Sequence, residues 1–94
     1  MSAAALASLA EMPPQVQAIV RGVCAERRVG VRDVLSDARF PHIAQARMEA
    51  MARARELEPQ PSFPTIGRWF GRNHTTAMDA WRRMRGLGRR GVGR

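Results

Sequence analysis

The stretch over residues 62–84 constrains this chain most, because its punctuation indicates two helices joined by a tight turn. Ser62 is a good N-cap and Pro64 suits a first helical turn, so the sequence predicts a short helix here. Gly71 supplies the backbone freedom that ends this helix and reverses the chain. Asn73 is a second N-cap candidate and predicts a longer helix immediately after it.

The second of these helices has two chemically different faces. Ala77, Trp81 and Met84 recur at helical spacing and are predicted to face a core. The opposite face carries the polar residues Thr75, Thr76, Asp79, Arg82 and Arg83. Small hydroxyls in the first turn, followed by arginines, suit a helix whose amino end enters the DNA major groove. We therefore predict base contacts from the start of this helix, by Asn73, His74, Thr75 and Thr76.

The first turn of this helix can bind DNA in several ways. Its backbone N–H groups lack intrahelical partners, so a phosphate can accept hydrogen bonds from them with help from the helix dipole. A threonine methyl can pack on the C5-methyl of thymine. His74 can donate to an acceptor on a base edge; the alternative is an exposed histidine without such a role.

The charge of the chain is distributed unevenly. Sixteen arginines face eight acidic residues among 94 residues, a length that allows one domain with a small core. Residues 1–67 hold eight arginines and seven acids, whereas residues 68–94 hold eight arginines and one acid. Genomic base bias can explain an arginine-rich composition but not this placement, which favours attraction to phosphate.

The remaining apolar spacing predicts an all-α bundle of about five helices. Three further helices are expected over residues 15–28, 31–36 and 41–57. Their inward positions are Val16, Ile19, Val20, Val23, Val31, Val34, Leu35, Ile43, Ala46 or Arg47, Ala50, Met51, Ala54 and Leu57. The predicted organisation is an N-terminal arm or linker helix over 1–12, a helix-turn-helix domain over 13–87 and a flexible basic tail over 88–94.

Residues 62–84 resemble the signature of the C-terminal DNA-binding domain of the bacterial replication initiator DnaA. The matching residues are Ser62, Pro64, Ile66, Gly67, Phe70, Gly71, Arg72, His74, Thr75 and Thr76. The likeness extends weakly upstream to about Pro14 and implies a Trp-repressor-like helix-turn-helix. The chain departs from the pattern with one turn glycine instead of two, Asn73 instead of Asp and Met48 instead of Gln. The initiator's ATPase domain cannot fit in 94 residues, so the resemblance implies DNA recognition without origin melting.

The resemblance also implies roles for residues outside the two helices. The arginine matching Arg39 reaches into the minor groove, where narrowing concentrates negative potential; a solvated loop arginine is the alternative. Arg47 and Arg55 match positions that contact phosphate, although Arg55 could instead form an intrahelical pair with Glu58. The other candidate phosphate ligands are Ser62, Pro64, Arg72, Arg82 and Arg83.

The residue types argue against several other classes of protein. Cys24 is the only cysteine, which excludes an internal disulfide and fits a reducing cytoplasm, and we expect it to be small packing material. Cys24, His42 and His74 lack the spacing of metal ligands. The apolar run at residues 3–10 is too short to span a membrane. No catalytic arrangement is legible, so we predict a protein without enzymatic activity, cofactor, metal or small-molecule ligand.

The leading hypothesis is therefore a cytoplasmic, nucleoid-associated protein that binds double-stranded DNA sequence-specifically and regulates transcription. The chain is similar to small regulators with an initiator-like DNA-binding domain, including activators of phage-like gene-transfer-agent clusters. One alternative is a replication accessory that competes for the initiator's boxes. Another is an adaptor whose Trp69 surface and N-terminal arm bind RNA polymerase or another regulator. Trp69 and Trp81 could also stack on single-stranded bases, although the position of Trp81 favours burial.

Overall fold

The computed structural model describes residues 9–93, with side chains up to Gly86. Residues 9–11 are helical, and the helices that follow are α1 (Pro14–Arg27), α2 (Val31–Leu35), α3 (Pro41–Arg55), α4 (Phe63–Trp69) and α5 (His74–Gly93). No strand occurs within residues 9–93. The all-α prediction is confirmed, and the helices before α5 begin and end within two residues of their predicted bounds.

The helix boundaries follow from local signals in the sequence. A proline lies in the first turn of α1, α3 and α4, where its missing N–H would have no intrahelical partner anyway. At the other end of α1, Arg28 adopts the left-handed conformation with φ 59° and its N–H donates to the Cys24 carbonyl. This hydrogen bond satisfies a terminal carbonyl of the helix and turns the chain towards α2.

Helix α3 lies at the centre of the bundle and packs against the other four helices. Its alanines Ala46, Ala50 and Ala54 are completely buried, so neighbouring helices can approach its backbone closely. The largest side chains buried around it are Phe70, Met51, Ile66, Val16, Val20, Val23 and Val34. The valines and Met51 among them were predicted from apolar spacing and are confirmed, whereas the predicted Ile19, Val31 and Leu57 are only partly buried.

The apolar face of α5 differs from its prediction. Ala77 and Ala80 are buried, but Trp81 and Met84 are only half-buried. The guanidinium of the exposed Arg85 lies 5.0 Å from the centroid of the Trp81 ring. The prediction that Trp81 belongs to the core is therefore wrong. The reason is angular: successive residues of a helix differ by about 100°, so Trp81 lies at the edge of the buried stripe that Ala77 and Ala80 form.

Both ends of the described chain differ from the predicted arm and tail. Helix α5 continues to Gly93, past the start of the flexible tail predicted for residues 88–94, and side chains after Gly86 lie outside the described part. Residues 1–8 of the predicted arm also lie outside the described part of the chain. Met12 is buried and its carbonyl accepts a hydrogen bond of 2.9 Å from the Gln17 amide, so the arm is docked where it joins α1.

Cys24 behaves as the expected packing residue. Its side chain is 4% exposed on the inner face of α1. Burial raises the pKa of its thiol above the ordinary value, and the nearby Asp33 carboxylate raises it further. Because the thiolate is the reactive form, this environment suppresses thiol chemistry.

Candidate nucleic-acid interface

The turn between α4 and α5 depends on a close backbone approach at Gly67. The Arg72 N–H donates to the Gly67 carbonyl at 2.7 Å. A Cβ atom on Gly67 would lie 2.6 Å from the Arg72 carbonyl oxygen and 2.9 Å from the Asn73 carbonyl carbon. Gly71 has φ 68°, a conformation that other residues adopt at a cost. Gly71 is followed directly by Arg72, so this turn has a single glycine at the place where the resemblance implies two in a row.

Asn73 caps the amino end of α5. Its Oδ1 accepts a hydrogen bond of 2.9 Å from the Thr76 N–H and another of 3.0 Å from the Thr76 hydroxyl. This arrangement explains why the helix begins at His74, as predicted. It also occupies the only oxygen of the Asn73 amide and the hydroxyl hydrogen of Thr76, and thus leaves the Asn73 Nδ2 group and the Thr76 methyl for other contacts.

The first turn of α5 is open to solvent. His74, Thr75 and Thr76 are exposed, together with Asn73. A shallow groove continues from this turn along the helix and is lined by Thr75, Thr76, Met78, Asp79 and Arg82. Arg82 is exposed, whereas Arg83 forms an ion pair of 2.9 Å with Asp79 one turn earlier. The pair lowers the net charge at Arg83, so Arg82 is the better-placed cation for a phosphate.

The start of α4 presents a second exposed helix end. Ser62 Oγ accepts a hydrogen bond of 3.2 Å from the Thr65 N–H and lies 2.8 Å from the Thr65 hydroxyl oxygen. Ser62 and Pro64 are both exposed. The predicted N-cap role of Ser62 is confirmed, and its contact with phosphate stays a prediction.

Arg39 is exposed in the loop between α2 and α3, a segment over residues 36–40 that we call the Arg39 loop. Two short hydrogen bonds shape it: the Ser36 hydroxyl donates to the Asp33 carbonyl at 2.7 Å and accepts from the Ala38 N–H at 3.1 Å. The loop also carries Phe40, which is 64% exposed and was not singled out in the sequence. Its aromatic neighbour is His42, with ring centroids 6.2 Å apart.

Arg47 is placed differently from its prediction as a phosphate ligand. It is only 5% exposed, and its guanidinium donates to four backbone carbonyls, those of Val34 at 2.8 Å, Asp33 at 3.2 Å, Ser36 at 2.9 Å and Ala38 at 2.9 Å. Burial lowers the pKa of this guanidinium, the nearby Arg72 lowers it further and Asp37 opposes the shift. The side chain fastens the Arg39 loop to α3 and does not point to solvent.

Arg55 also turns inward. Its Nη1 donates to the Pro61 carbonyl at 2.8 Å, and its guanidinium carbon lies 3.9 Å from the centroid of the Phe63 ring. Its Nε is buried without a hydrogen-bond partner in the described part of the chain. The side chain holds the loop between α3 and α4 and forms no ion pair with Glu58 within the described residues, and its contact with phosphate stays a prediction.

Arg72 links the helix-turn-helix to the Arg39 loop. Its Nη2 donates to the Ser36 carbonyl at 2.9 Å, and the side chain is half-buried. The carbonyl of Ser36 therefore accepts hydrogen bonds from both Arg72 and Arg47. The sequence carried no signal for this convergence, because Ser36 contributes a backbone atom and the two arginines lie far apart along the chain.

Other kinds of site find little support in the described residues. Within them, no group of three or more histidine, cysteine or acidic side chains is arranged to hold a metal ion. None of the described helices combines the length and the apolar character needed to cross a bilayer. Trp69 packs against the core, which reduces the ring surface available for stacking on bases.

The comparisons with known proteins converge on one family. The profile described as the bacterial dnaA protein helix-turn-helix matches residues 16–84. The chromosomal replication initiator protein DnaA of Sphingopyxis alaskensis is 41% identical over 73 residues, which are 77% of this chain and 16% of that protein. The DnaA of Bartonella quintana is 38% identical over 74 residues, 78% of this chain and 15% of that protein. No solved structure was found to match.

The match covers the whole bundle described above, from α1 to the middle of α5, and includes the exposed helix end and its turn. The chain nevertheless spans only about one sixth of the length of these relatives. On this evidence the chain belongs to the bacterial DnaA helix-turn-helix family, and membership of that family implies sequence-specific binding of double-stranded DNA.

Proposed function

We propose that this chain is a transcription regulator that inserts the amino end of α5 into the DNA major groove and Arg39 into the minor groove. The observation that carries the proposal is the exposed first turn of α5, which is capped by Asn73. It follows the turn that packs closely against Gly67 of α4. In a helix-turn-helix, residues at the start of the second helix contact base edges. A regulator of this kind would occupy promoter DNA in the cytoplasm, in the nucleoid.

The atoms exposed at this helix end suit DNA. First-turn N–H groups that the Asn73 cap leaves over can donate to a phosphate. His74 and Thr75 can donate to acceptors on base edges, and the Thr76 methyl can pack on a thymine methyl. Arg82, Ser62 and Pro64 are exposed candidates for contact with the phosphate backbone. Phosphate contacts position the protein, whereas the base contacts select the sequence.

The two kinds of contact predict different losses. We expect His74→Ala to weaken binding to the selected duplex by about tenfold or more, with little change on unrelated duplexes, because one base contact is worth about 1–3 kcal/mol. We expect Arg82→Ala to weaken all duplexes alike and to lower the slope of log affinity against log salt by about 1. Fluorescence anisotropy at several salt concentrations measures both effects. Equal losses on all duplexes for His74→Ala would contradict the major-groove assignment.

The cap geometry supports a target that differs from the initiator's box. An aspartate at this position has two oxygens, so one can cap the helix while the other accepts from the cytosine amine, as the resemblance implies. The Asn73 oxygen is occupied by Thr76, and its amide nitrogen can only donate. We therefore infer that, at the position where the initiator's box has cytosine, this chain prefers a base that presents a hydrogen-bond acceptor, such as N7 of adenine.

Asn73→Asp tests this inference with an isosteric change that retains the cap. We expect the selected sites of the original chain and of Asn73→Asp to differ at one base pair, with the variant preferring cytosine there by about tenfold. Selection from a random duplex library, followed by sequencing, provides the measurement. If both proteins select the same base at every position, or if the original chain selects the initiator's box, the inferred difference is wrong.

A replication accessory remains a second candidate because the similar proteins are named replication initiators. A genome-wide occupancy map distinguishes the two roles, since a regulator would occupy promoters and an accessory would occupy an origin.

The adaptor hypothesis, with RNA polymerase or another regulator as partner, loses support because Trp69 packs against the core. An adaptor would bind duplex DNA weakly and without sequence preference.

A further inference from the structure

Two arginines from different parts of the fold meet at one backbone atom, the carbonyl oxygen of Ser36. Arg47 reaches it from α3 and Arg72 reaches it from the turn ahead of α5, each with a nitrogen–oxygen distance of 2.9 Å. Bonds from a charged donor are about twice as strong as neutral ones, so this carbonyl is a firm attachment point. It lies three residues before Arg39, at the start of the Arg39 loop.

The two attachments fasten the loop to different elements. Arg47 ties it to the centre of the bundle through the carbonyls of Ser36 and Ala38. Within the described residues, the hydrogen bond from Arg72 is the only one that joins the Arg39 loop to the turn ahead of α5. Arg72 directly precedes Asn73, the cap of that helix. Its side chain therefore connects the two parts of the proposed DNA surface through a hydrogen bond within the protein.

We propose that Arg72 is a positioning residue that holds the Arg39 loop at a set distance from the amino end of α5, so that the chain recognises a composite site with one permitted spacing. The inference rests on the proposed function, because it assigns Arg39 to the minor groove and α5 to the major groove. One inserted base pair displaces one part of the site by about 3.4 Å and rotates it by about a tenth of a turn. A loop tied to the turn cannot follow that displacement.

A double-mutant cycle separates positioning from direct contact with phosphate. In the original chain, we expect Arg39→Ala to weaken binding to the selected duplex about tenfold. In the Arg72→Ala background, we expect Arg39→Ala to change binding by less than about twofold, because the loop is then held by Arg47 to α3 alone and its distance from the turn ahead of α5 is no longer set. Arg82→Ala is the matched control: it removes an exposed arginine that does not bond the loop, so its effect should add to that of Arg39→Ala.

Two further measurements address the same link. Without DNA, the amides of Ala38 and Arg39 should exchange hydrogen faster in Arg72→Ala than in the original chain, which a contact with phosphate alone would not cause. With DNA, the original chain should lose affinity sharply when one base pair is inserted between the two parts of its site. The same insertion should change the affinity of the Arg72→Ala variant only slightly. Arg72→Lys, which retains the charge but not the fork geometry, serves if the alanine variant does not fold.

The outcomes are distinguishable. Additive losses for Arg39 and Arg72, with unchanged amide exchange and a salt slope lowered by about 1, would make Arg72 a phosphate ligand and overturn the inference alone. An original chain that binds duplexes without sequence preference would overturn the proposed function, and the inference with it. Sequence-specific binding combined with a strongly non-additive cycle would support both.

Discussion

Replacing Arg47 with methionine is expected to destabilise the domain by about 3 kcal/mol, the largest effect among its arginines. Methionine fills a similar volume but cannot donate, so four carbonyls of the α2–α3 segment lose the guanidinium that bonds them. For a domain of this size, such a loss lowers the melting temperature by more than about 10 °C. Thermal and urea unfolding followed by circular dichroism measure the change.

Arg53→Met is the matched control for Arg47→Met, because it makes the same substitution two turns later on the same helix. Arg53 is exposed and pairs with the exposed Glu26 and with the half-buried Glu49, which keeps a second partner in Arg27 when Arg53 is replaced. Surface pairs contribute about 0–1 kcal/mol, so this variant should remain close to the original stability. If Arg47 acted on phosphate instead, Arg47→Met would unfold like the control and would lower the salt slope of DNA binding by about 1.

Gly67→Ala is expected to destabilise the domain by about 2 kcal/mol or more and to abolish selective DNA binding. The added Cβ would lie 2.6 Å from the Arg72 carbonyl oxygen, and backbone atoms cannot rotate away as a flexible side chain can. Relief requires α4 to move from the turn, which displaces Asn73 and reorients the first turn of α5. Urea unfolding and anisotropy titration of the selected duplex follow the two effects.

Gly22→Ala provides the contrast for Gly67→Ala. Gly22 lies within α1, and a Cβ there would meet no atom within 4 Å. Because glycine is less favourable than alanine inside a helix, this change should stabilise the domain by about 0.5–1 kcal/mol and leave DNA binding unaltered. Equal effects of the two alanine substitutions would refute the close approach at Gly67.

The helices were predictable because their signals are local. A proline in the first turn, a capping side chain and a glycine with positive φ act on neighbouring residues, so Pro14, Ser62, Gly71 and Asn73 mark their elements wherever the rest of the chain lies. The spacing of apolar residues likewise specifies which face of α1 and α3 is buried. On α5 the same spacing did not show that the buried stripe runs through Ala80 and leaves Trp81 at its edge, and Trp81 was misplaced for that reason.

The candidate site was predictable in part. The exposed residues at the start of α5 follow from the cap, whereas the orientation of the arginines does not. Arg47 and Arg55 lie eight residues apart on one face of α3, and this spacing suits two phosphate ligands as well as two internal donors. The helical spacing already placed Arg47 beside the buried positions, which was the one signal of its inward orientation.

By itself, the sequence determined an all-α chain of the DnaA helix-turn-helix family with polar side chains at the start of its last helix, because caps, breakers and periodicity act over a few residues. Only the tertiary structure decided that Arg47, Arg55 and Arg72 donate to backbone carbonyls. An arginine has five donors and a long stem, so its partner depends on which acceptors the folded chain brings within reach. The carbonyl of Ser36 becomes such an acceptor only when α3 and the turn ahead of α5 pack around it.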